Sequence, residues 1–124
     1  MVECAITDSG GHGNKPELTV QGTVQVDWAV KSAVEYARKR GDTLVLVTAD
    51  HETGGITCAI TNKPSGTLVM DYATTSHTGV PVRFFAYGPG ADLFSGPIDN
   101  TDIAKTIARL WKITLPAPEK DGGK

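Results

Sequence analysis

The segment from residue 44 to residue 55 constrains the fold of this chain more than any other. It begins with an apolar, valine-rich run at 44–47 and ends in polar residues, among them Asp50 and His51, followed by two glycines. Such a run predicts a buried strand of a parallel sheet that stops at a loop. Side chains just past the carboxyl end of such a strand lie where open α/β sheets bind ligands. Asp50 and His51 are therefore candidate ligand-binding residues, with the capping of a turn as the alternative role.

Composition limits the classes of function that this chain can have. Its 124 residues are enough for one modest core, and a net charge of -2 does not point to nucleic acid or to an acidic membrane surface. No apolar run approaches the roughly 20 residues that a membrane helix needs. No signal peptide is recognisable, and the abrupt start predicts a piece of a longer protein. Cys4 and Cys58 indicate buried free thiols, with a single disulfide as the alternative.

The first residues predict a strand followed by a glycine-rich loop. The strand covers 2–7 and the loop 8–16. Glu3 is unusual there, because a carboxylate in an apolar strand is costly to bury unless it is paired or bound to a cation. Asp8 ends the strand and His12 follows four residues later, so this unit offers three possible metal ligands.

An amphipathic helix is predicted over residues 24–40, with Thr23 as its N-cap and Gly41 at its end. Trp28 and Tyr36 are expected to pack rather than to recognise a ligand. Strand, helix and strand would form a βαβ unit, which is nearly always right-handed and parallel. Its parallel strands would place Asp8 and His12 on the same sheet edge as Asp50 and His51.

The remaining sequence predicts an antiparallel excursion, a further strand and a last helix. The excursion comprises strands at 56–60 and 67–72 around a turn, and a polar loop at 74–79 contains His77. The later elements are a strand at 82–87 broken by Gly88, Pro89 and Gly90, a helix starting at 99–101, and a disordered tail from residue 116.

All three histidines of the chain, His12, His51 and His77, lie in glycine- or hydroxyl-rich segments, and two of them have an aspartate nearby. A lone histidine is usually structural, but three in such loops with Asp8 and Asp50 favour a metal site. Histidine with carboxylate and without cysteine suits a catalytic zinc, and an all-oxygen contribution such as Glu3 suits magnesium. Because zinc activates water and paired metals assist phosphoryl transfer, the residues indicate a metal-dependent hydrolase acting on phosphate esters.

The segment 48–55 resembles the metal-binding signature of the bacterial alkaline phosphatases. Glu3, Asp8 and His12 match that family in order and spacing, and the segment 76–90 matches its last zinc histidine and the strand that follows. The resemblance covers the chain except the tail. It assigns Asp8, His12 and His77 to a first zinc, Asp50 and His51 to a second zinc, and Glu3 to magnesium.

The resemblance also implies a fold and a reaction. The fold is α/β, a partial three-layer sandwich with a mostly parallel sheet, helices packed on it and a small antiparallel excursion, formed by residues 1–115. The family hydrolyses phosphate monoesters through a phosphoserine intermediate. It is typically dimeric and is exported to the periplasm or outside the cell.

The chain departs from the family by lacking the motifs of its amino-terminal half. Missing are the nucleophilic serine, an aspartate shared between zinc and magnesium, a magnesium threonine and a phosphate-binding arginine. Ser9 is interpreted as a loop residue. The isolated chain is therefore expected to bind zinc without turnover, as the carboxyl-terminal part of a phosphatase that needs its missing half. Alternatives are another hydrolase of the superfamily, such as a phosphodiesterase or phosphoglycerate mutase, and a non-catalytic metal-binding domain.

Overall fold

The computed structural model describes residues 1–60, 66 and 68–117. Helices within this part are α1 (Ile6–His12), α2 (Pro16–Arg40) and α3 (Asn100–Trp111), with a 3-10 helix at Ala91–Phe94. The strands are β1 (Val45–Val47), β2 (Glu52–Thr53), β3 (Ile56–Ile60), β4 (Leu68–Tyr72), β5 (His77–Thr78) and β6 (Phe85–Tyr87). No helix of the described residues combines the length and the apolar character needed to cross a bilayer.

The predicted strand over 2–7 is wrong, because helix α1 starts at Ile6 and also contains Ser9. Two adjacent glycines, Gly10 and Gly11, obscured this helix, since glycine costs a helix interior about 1 kcal/mol. The two glycines instead allow close tertiary packing of α1. A Cβ at Gly10 would lie 2.6 Å from the backbone nitrogen of Thr19 in α2, so the two helices approach more closely than larger residues would allow.

Helix α2 is one long helix that starts earlier than the sequence indicates. Pro16 occupies its first turn, where a missing N–H costs nothing, and the N-cap is Lys15 rather than Thr23. The Thr23 hydroxyl instead donates to the carbonyl of Thr19 within the helix at 2.8 Å. At the other end the prediction is confirmed: Gly41 has φ 73° and its N–H donates to the carbonyl of Ala37.

All strand pairs of the described residues are antiparallel, so the predicted βαβ unit is wrong. Strand β1 pairs with β6, β2 with β5 and β3 with β4. The physical reason is that no strand precedes α2, which leaves β1 without a parallel neighbour among these residues. The mostly parallel sheet is accordingly not formed within the described part of the chain. The antiparallel excursion is confirmed as the β3–β4 pair, whereas most of its turn, residues 61–65 and 67, lies outside the described residues.

The last helix begins as predicted. Asp99 is its N-cap, and its carboxylate accepts from the backbone N–H of Thr101 at 2.9 Å. The buried apolar side chains of the described residues are few: Ala37, Phe94 and Ala108. Both cysteines are free, Cys4 half-buried and Cys58 exposed rather than buried. Of the predicted tail, residues 116–117 have no regular secondary structure and 118–124 lie outside the described residues.

Candidate metal centre

Helix α1 presents two of the candidate ligands on one face. Asp8 and His12 are four residues apart, so they are neighbours one turn apart on the helix, and the Oδ1 of Asp8 lies 3.5 Å from the Nε2 of His12. The four-residue spacing that suggested a loop curling back is therefore the spacing of a helix face. Strand β2 packs against this helix at Gly11, where a Cβ would lie 2.6 Å from the carbonyl oxygen of Thr53.

The short β2–β5 strand pair places the third candidate ligand, His77, beside the other two. Thr53 lies opposite His77 and Glu52 opposite Thr78. The Nε2 atoms of His12 and His77 are 3.1 Å apart, and that of His77 is 3.7 Å from the Oδ1 of Asp8. One ligand atom from each of Asp8, His12 and His77 therefore lies within 4.8 Å of the other two. Residues 65 positions apart in the sequence thus converge on one point.

The donor atoms of this group fit a divalent cation. The Nδ1 of His12 lies 2.6 Å from the carbonyl oxygen of Thr75, which can only accept, so Nδ1 carries the proton and Nε2 presents a lone pair to the group. Bonds of about 2.0–2.1 Å to a tetrahedral zinc place two nitrogen ligands roughly 3.3 Å apart. The separation of 3.1 Å between the two Nε2 atoms is close to that value. Both imidazoles are exposed, which leaves the open side that a catalytic metal requires.

A hydrogen bond from Thr53 prepares Asp8 for this role. The nearly buried hydroxyl of Thr53 donates to the Oδ1 of Asp8 at 2.6 Å. That bond lowers the pKa of the Asp8 carboxyl, and the neighbouring imidazoles of His12, His77 and His51 lower it further. Asp8 is therefore a carboxylate at neutral pH. This role of Thr53 is not predictable from the sequence, because no pattern along the chain shows which hydroxyl will face a ligand.

The second pair of candidates lies beside the first group. The ring of His51 stacks on the ring of His77, with centroids 3.6 Å apart and planes at 25°. The Nε2 of His51 is 3.3 Å from the Oδ2 of Asp50, whose side chain is 88% exposed. The Nδ1 of His51 contacts the hydroxyl of Thr53 at 3.2 Å, which leaves the Nε2 of His51 on the side of Asp50.

Glu3 is not brought to this centre. It lies in the segment before α1, is exposed, and belongs to no group of three potential ligands among the described residues. Glu3 is therefore not a buried carboxylate in need of a cation among these residues, because the segment before α1 is not a buried strand.

The chain is similar to known proteins over most of its length. The family model for alkaline phosphatase matches residues 1–71 and 62–113, which together cover most of the chain. The chain belongs to the alkaline phosphatase family. An alkaline phosphatase of Escherichia coli is 37% identical over 123 residues, and the match covers 86% of this chain and 26% of that protein. A streptomycin-6-phosphate phosphatase of Streptomyces griseus is 32% identical, with 86% and 28% covered.

The fold is also that of an alkaline phosphatase. The structure of alkaline phosphatase from the Antarctic bacterium TAB5 superposes with a TM-score of 0.82 at 33% identity, covering 91% of this chain and 34% of that one. A mutant of the same enzyme was solved with magnesium bound in a site called M3. The chain spans only about a quarter to two fifths of the length of the curated relatives that it matches.

Proposed function

We propose that this chain is the metal-binding carboxyl-terminal part of a phosphate monoester hydrolase. The observation that carries the proposal is the convergence of Asp8, His12 and His77, with the Nε2 atoms of the two histidines 3.1 Å apart. Family membership supports it, because the curated relatives are named as phosphatases.

The ligands are divided between two zinc ions and one magnesium ion. Asp8, His12 and His77 hold the first zinc, whereas Asp50 and His51 supply part of the second site. A zinc ion at the first site supplies Lewis acidity toward water and phosphate oxygen. Within the chain, Asp8 contributes a carboxylate that Thr53 keeps ionised, and His12 contributes a nitrogen oriented by the carbonyl of Thr75. Glu3 is the magnesium ligand once the remainder of the protein covers the segment before α1.

The nucleophile is supplied from outside this chain. The family's covalent step needs a serine whose motif this sequence lacks, so the chain alone turns over no substrate. The complete protein has the three-layer sandwich with a mostly parallel sheet, in which β1 and β6 gain further strand neighbours. It is an exported enzyme and acts as a homodimer, with no role for nucleic acid or membrane.

Zinc binding by the purified chain tests the metal site. We expect one tightly bound zinc per chain at neutral pH, removed by chelator and lost in His77→Ala and His12→Ala. Asp27→Asn is the matched control, because Asp27 is an exposed carboxylate on α2. Elemental analysis and titration against a chromophoric chelator measure both the stoichiometry and the affinity. Absence of zinc from the wild-type chain, or retention in both histidine variants, contradicts the site.

Hydrolysis of p-nitrophenyl phosphate tests whether the nucleophile comes from outside this chain. The chain alone is expected to be inactive with zinc and magnesium present. Co-expression with the part of the Escherichia coli alkaline phosphatase that precedes the matched region is expected to restore turnover, which His77→Ala then abolishes. Zinc-dependent turnover by the chain alone, lost in His77→Ala, would show that the nucleophile lies within these 124 residues.

A further inference from the structure

We propose that Glu52 is a positioning residue that holds the two stacked imidazoles of the metal centre in register; this inference rests on the proposed zinc-binding function. Glu52 directly follows His51 in the chain, yet its carboxylate binds the neighbouring backbone and Thr78 rather than the group formed by Asp8, His12 and His77. Its side chain is half-buried.

The carboxylate of Glu52 accepts from three neutral donors. Its Oε1 accepts from the backbone N–H of Ile56 at 3.0 Å, and its Oε2 accepts from that of Gly55 at 3.1 Å. Oε2 also accepts a hydrogen bond from the hydroxyl of Thr78. Hydrogen bonds to a charged acceptor are stronger than those between neutral groups, so these three bonds hold the Glu52 carboxylate in place.

These three bonds add side-chain links between segments that backbone bonds at Gly54 also join. The β2–β5 pair has only two residues in each strand, and it contains Thr53 and His77 as one of its two cross-strand pairs. Between β2 and β3 the chain turns through Gly54 and Gly55, both at positive φ, a conformation that glycine adopts at little cost. Glu52 spans this turn through Gly55 and Ile56 and reaches across to Thr78, the residue after His77.

The consequence for the site is geometric. His51 precedes Glu52, and His77 precedes Thr78, so a bond between Glu52 and Thr78 restrains the separation of the two histidine backbones, in addition to the backbone bond from Gly54 to Ser76. Their rings stack with centroids 3.6 Å apart, and His77 must also stay within reach of His12 on α1. Losing an outer hydrogen bond of this kind typically reduces metal affinity 10–100-fold.

The test compares five variants of the 124-residue chain, four single and one double. Glu52→Gln keeps the side-chain shape but replaces one acceptor oxygen by a donor, and Thr78→Val removes the hydroxyl without changing the volume. Thr78→Ser retains the hydroxyl and is the rescue variant. Glu35→Gln is the matched control, since Glu35 is exposed on α2. Zinc affinity is measured by competition with a chromophoric chelator, and the absorption spectrum of bound cobalt reports the ligand geometry.

We expect a 10–100-fold loss of zinc affinity and an altered cobalt spectrum in Glu52→Gln and in Thr78→Val. Thr78→Ser and Glu35→Gln should match the wild type, and the Glu52→Gln/Thr78→Val double variant should lose less than the sum of the two single losses. Far-UV circular dichroism and thermal unfolding show whether each variant is folded; if Glu52→Gln does not fold, Thr78→Val decides.

Unchanged zinc affinity and an unchanged cobalt spectrum in folded Glu52→Gln and Thr78→Val overturn the inference while leaving the proposed function intact. Failure of the wild-type chain to bind zinc overturns both. A loss of affinity in Thr78→Ser equal to that in Thr78→Val also overturns it, because the hydroxyl would then not be the group that matters.

Discussion

At the scale of single residues, one hydroxyl connects the two histidine-bearing parts of the centre. Thr53 donates to the carboxylate of Asp8 and contacts the Nδ1 of His51 at 3.2 Å. A hydroxyl that donates in one direction can accept in the other, so Thr53 sets the tautomer of His51 while it keeps Asp8 ionised. The pKa of Asp8 is lowered chiefly by this bond.

Thr53→Val is expected to weaken zinc binding about 10–100-fold, because the isosteric change removes the bond that orients Asp8. Thr53→Ser should retain the affinity. Thr57→Val is the control, since Thr57 is exposed on β3. Titration with zinc in the presence of a competing chelator measures the effect. Equal affinity in Thr53→Val and Thr57→Val would show that the hydroxyl does not prepare the ligand.

At the scale of secondary-structure elements, α1 is a helix that depends on close packing. Its two central glycines reduce its intrinsic stability but remove the side chains that would hold it away from α2 and β2. The same approach places Asp8 and His12 against the β2–β5 pair.

Gly11→Ala is expected to destabilise the chain by about 1–3 kcal/mol, because the added Cβ would meet the carbonyl oxygen of Thr53 at 2.6 Å. The clash would push α1 away from β2 and move Asp8 and His12 away from His77, so zinc affinity should fall as well. Gly79→Ala is the matched control, as a Cβ there would have no heavy atom within 4 Å. Urea unfolding measures the stability. A midpoint for Gly11→Ala equal to that of Gly79→Ala would contradict the close packing.

Helix α3 has a pH-dependent cap. The backbone N–H of Thr101 lowers the pKa of Asp99 in the folded chain, relative to about 3.9 in an unfolded one. A lowered folded pKa means that the stabilisation is complete above about pH 4 and is lost as the pH falls through the folded value. Asp99→Asn caps without titrating. We expect the wild type to lose stability relative to this variant between pH 7 and pH 2.5.

Thermal unfolding of both proteins at a series of pH values measures this difference. Other carboxylates titrate equally in the two proteins, so only the difference between their Tm values reports on Asp99. A difference that does not change with pH would show that the cap is independent of the charge.

At the scale of the whole molecule, the chain exposes more surface than a self-contained fold of its size. Its accessible surface is 9681 Å², whereas a folded monomer of 13.1 kDa exposes about 6,400 Å². Large apolar side chains account for part of the excess: Trp28 is 65% exposed, Phe85 61% and Trp111 72%. The expectation that Trp28 and Tyr36 pack is therefore not met within this chain. Such surface is what the rest of a larger protein would cover.

The chain alone is expected to bind a hydrophobic fluorescent dye and to self-associate with increasing concentration, because exposed large apolar side chains favour both. Light scattering coupled to size-exclusion chromatography measures the association. Intact Escherichia coli alkaline phosphatase, with its complete fold, is the reference for dye binding. If the chain stays monomeric and binds no dye throughout the micromolar range, its large apolar side chains are not exposed in solution.

The sequence by itself determined those features that depend on a few adjacent residues. The cap of α3 at Asp99, the left-handed Gly41 after α2, the β3–β4 excursion and the chemistry of the histidine and carboxylate side chains are all local properties. Each follows from hydrogen bonds or conformational preferences within one element or between elements that are neighbours along the chain.

Only the tertiary structure decided the orientation of the strands and the surroundings of the ligands. Helix α1 forms against the preference of its glycines, because packing on α2 and β2 compensates for their cost. The antiparallel partner of β1 lies some 40 residues away at β6. The hydroxyl of Thr53 meets Asp8 only because α1 packs on β2, and the carboxylate of Glu52 acquires its partners only through the turn after β2 and the β2–β5 pair. Contacts between distant segments are not encoded in periodicity, since their energy depends on which surfaces meet after the chain has folded.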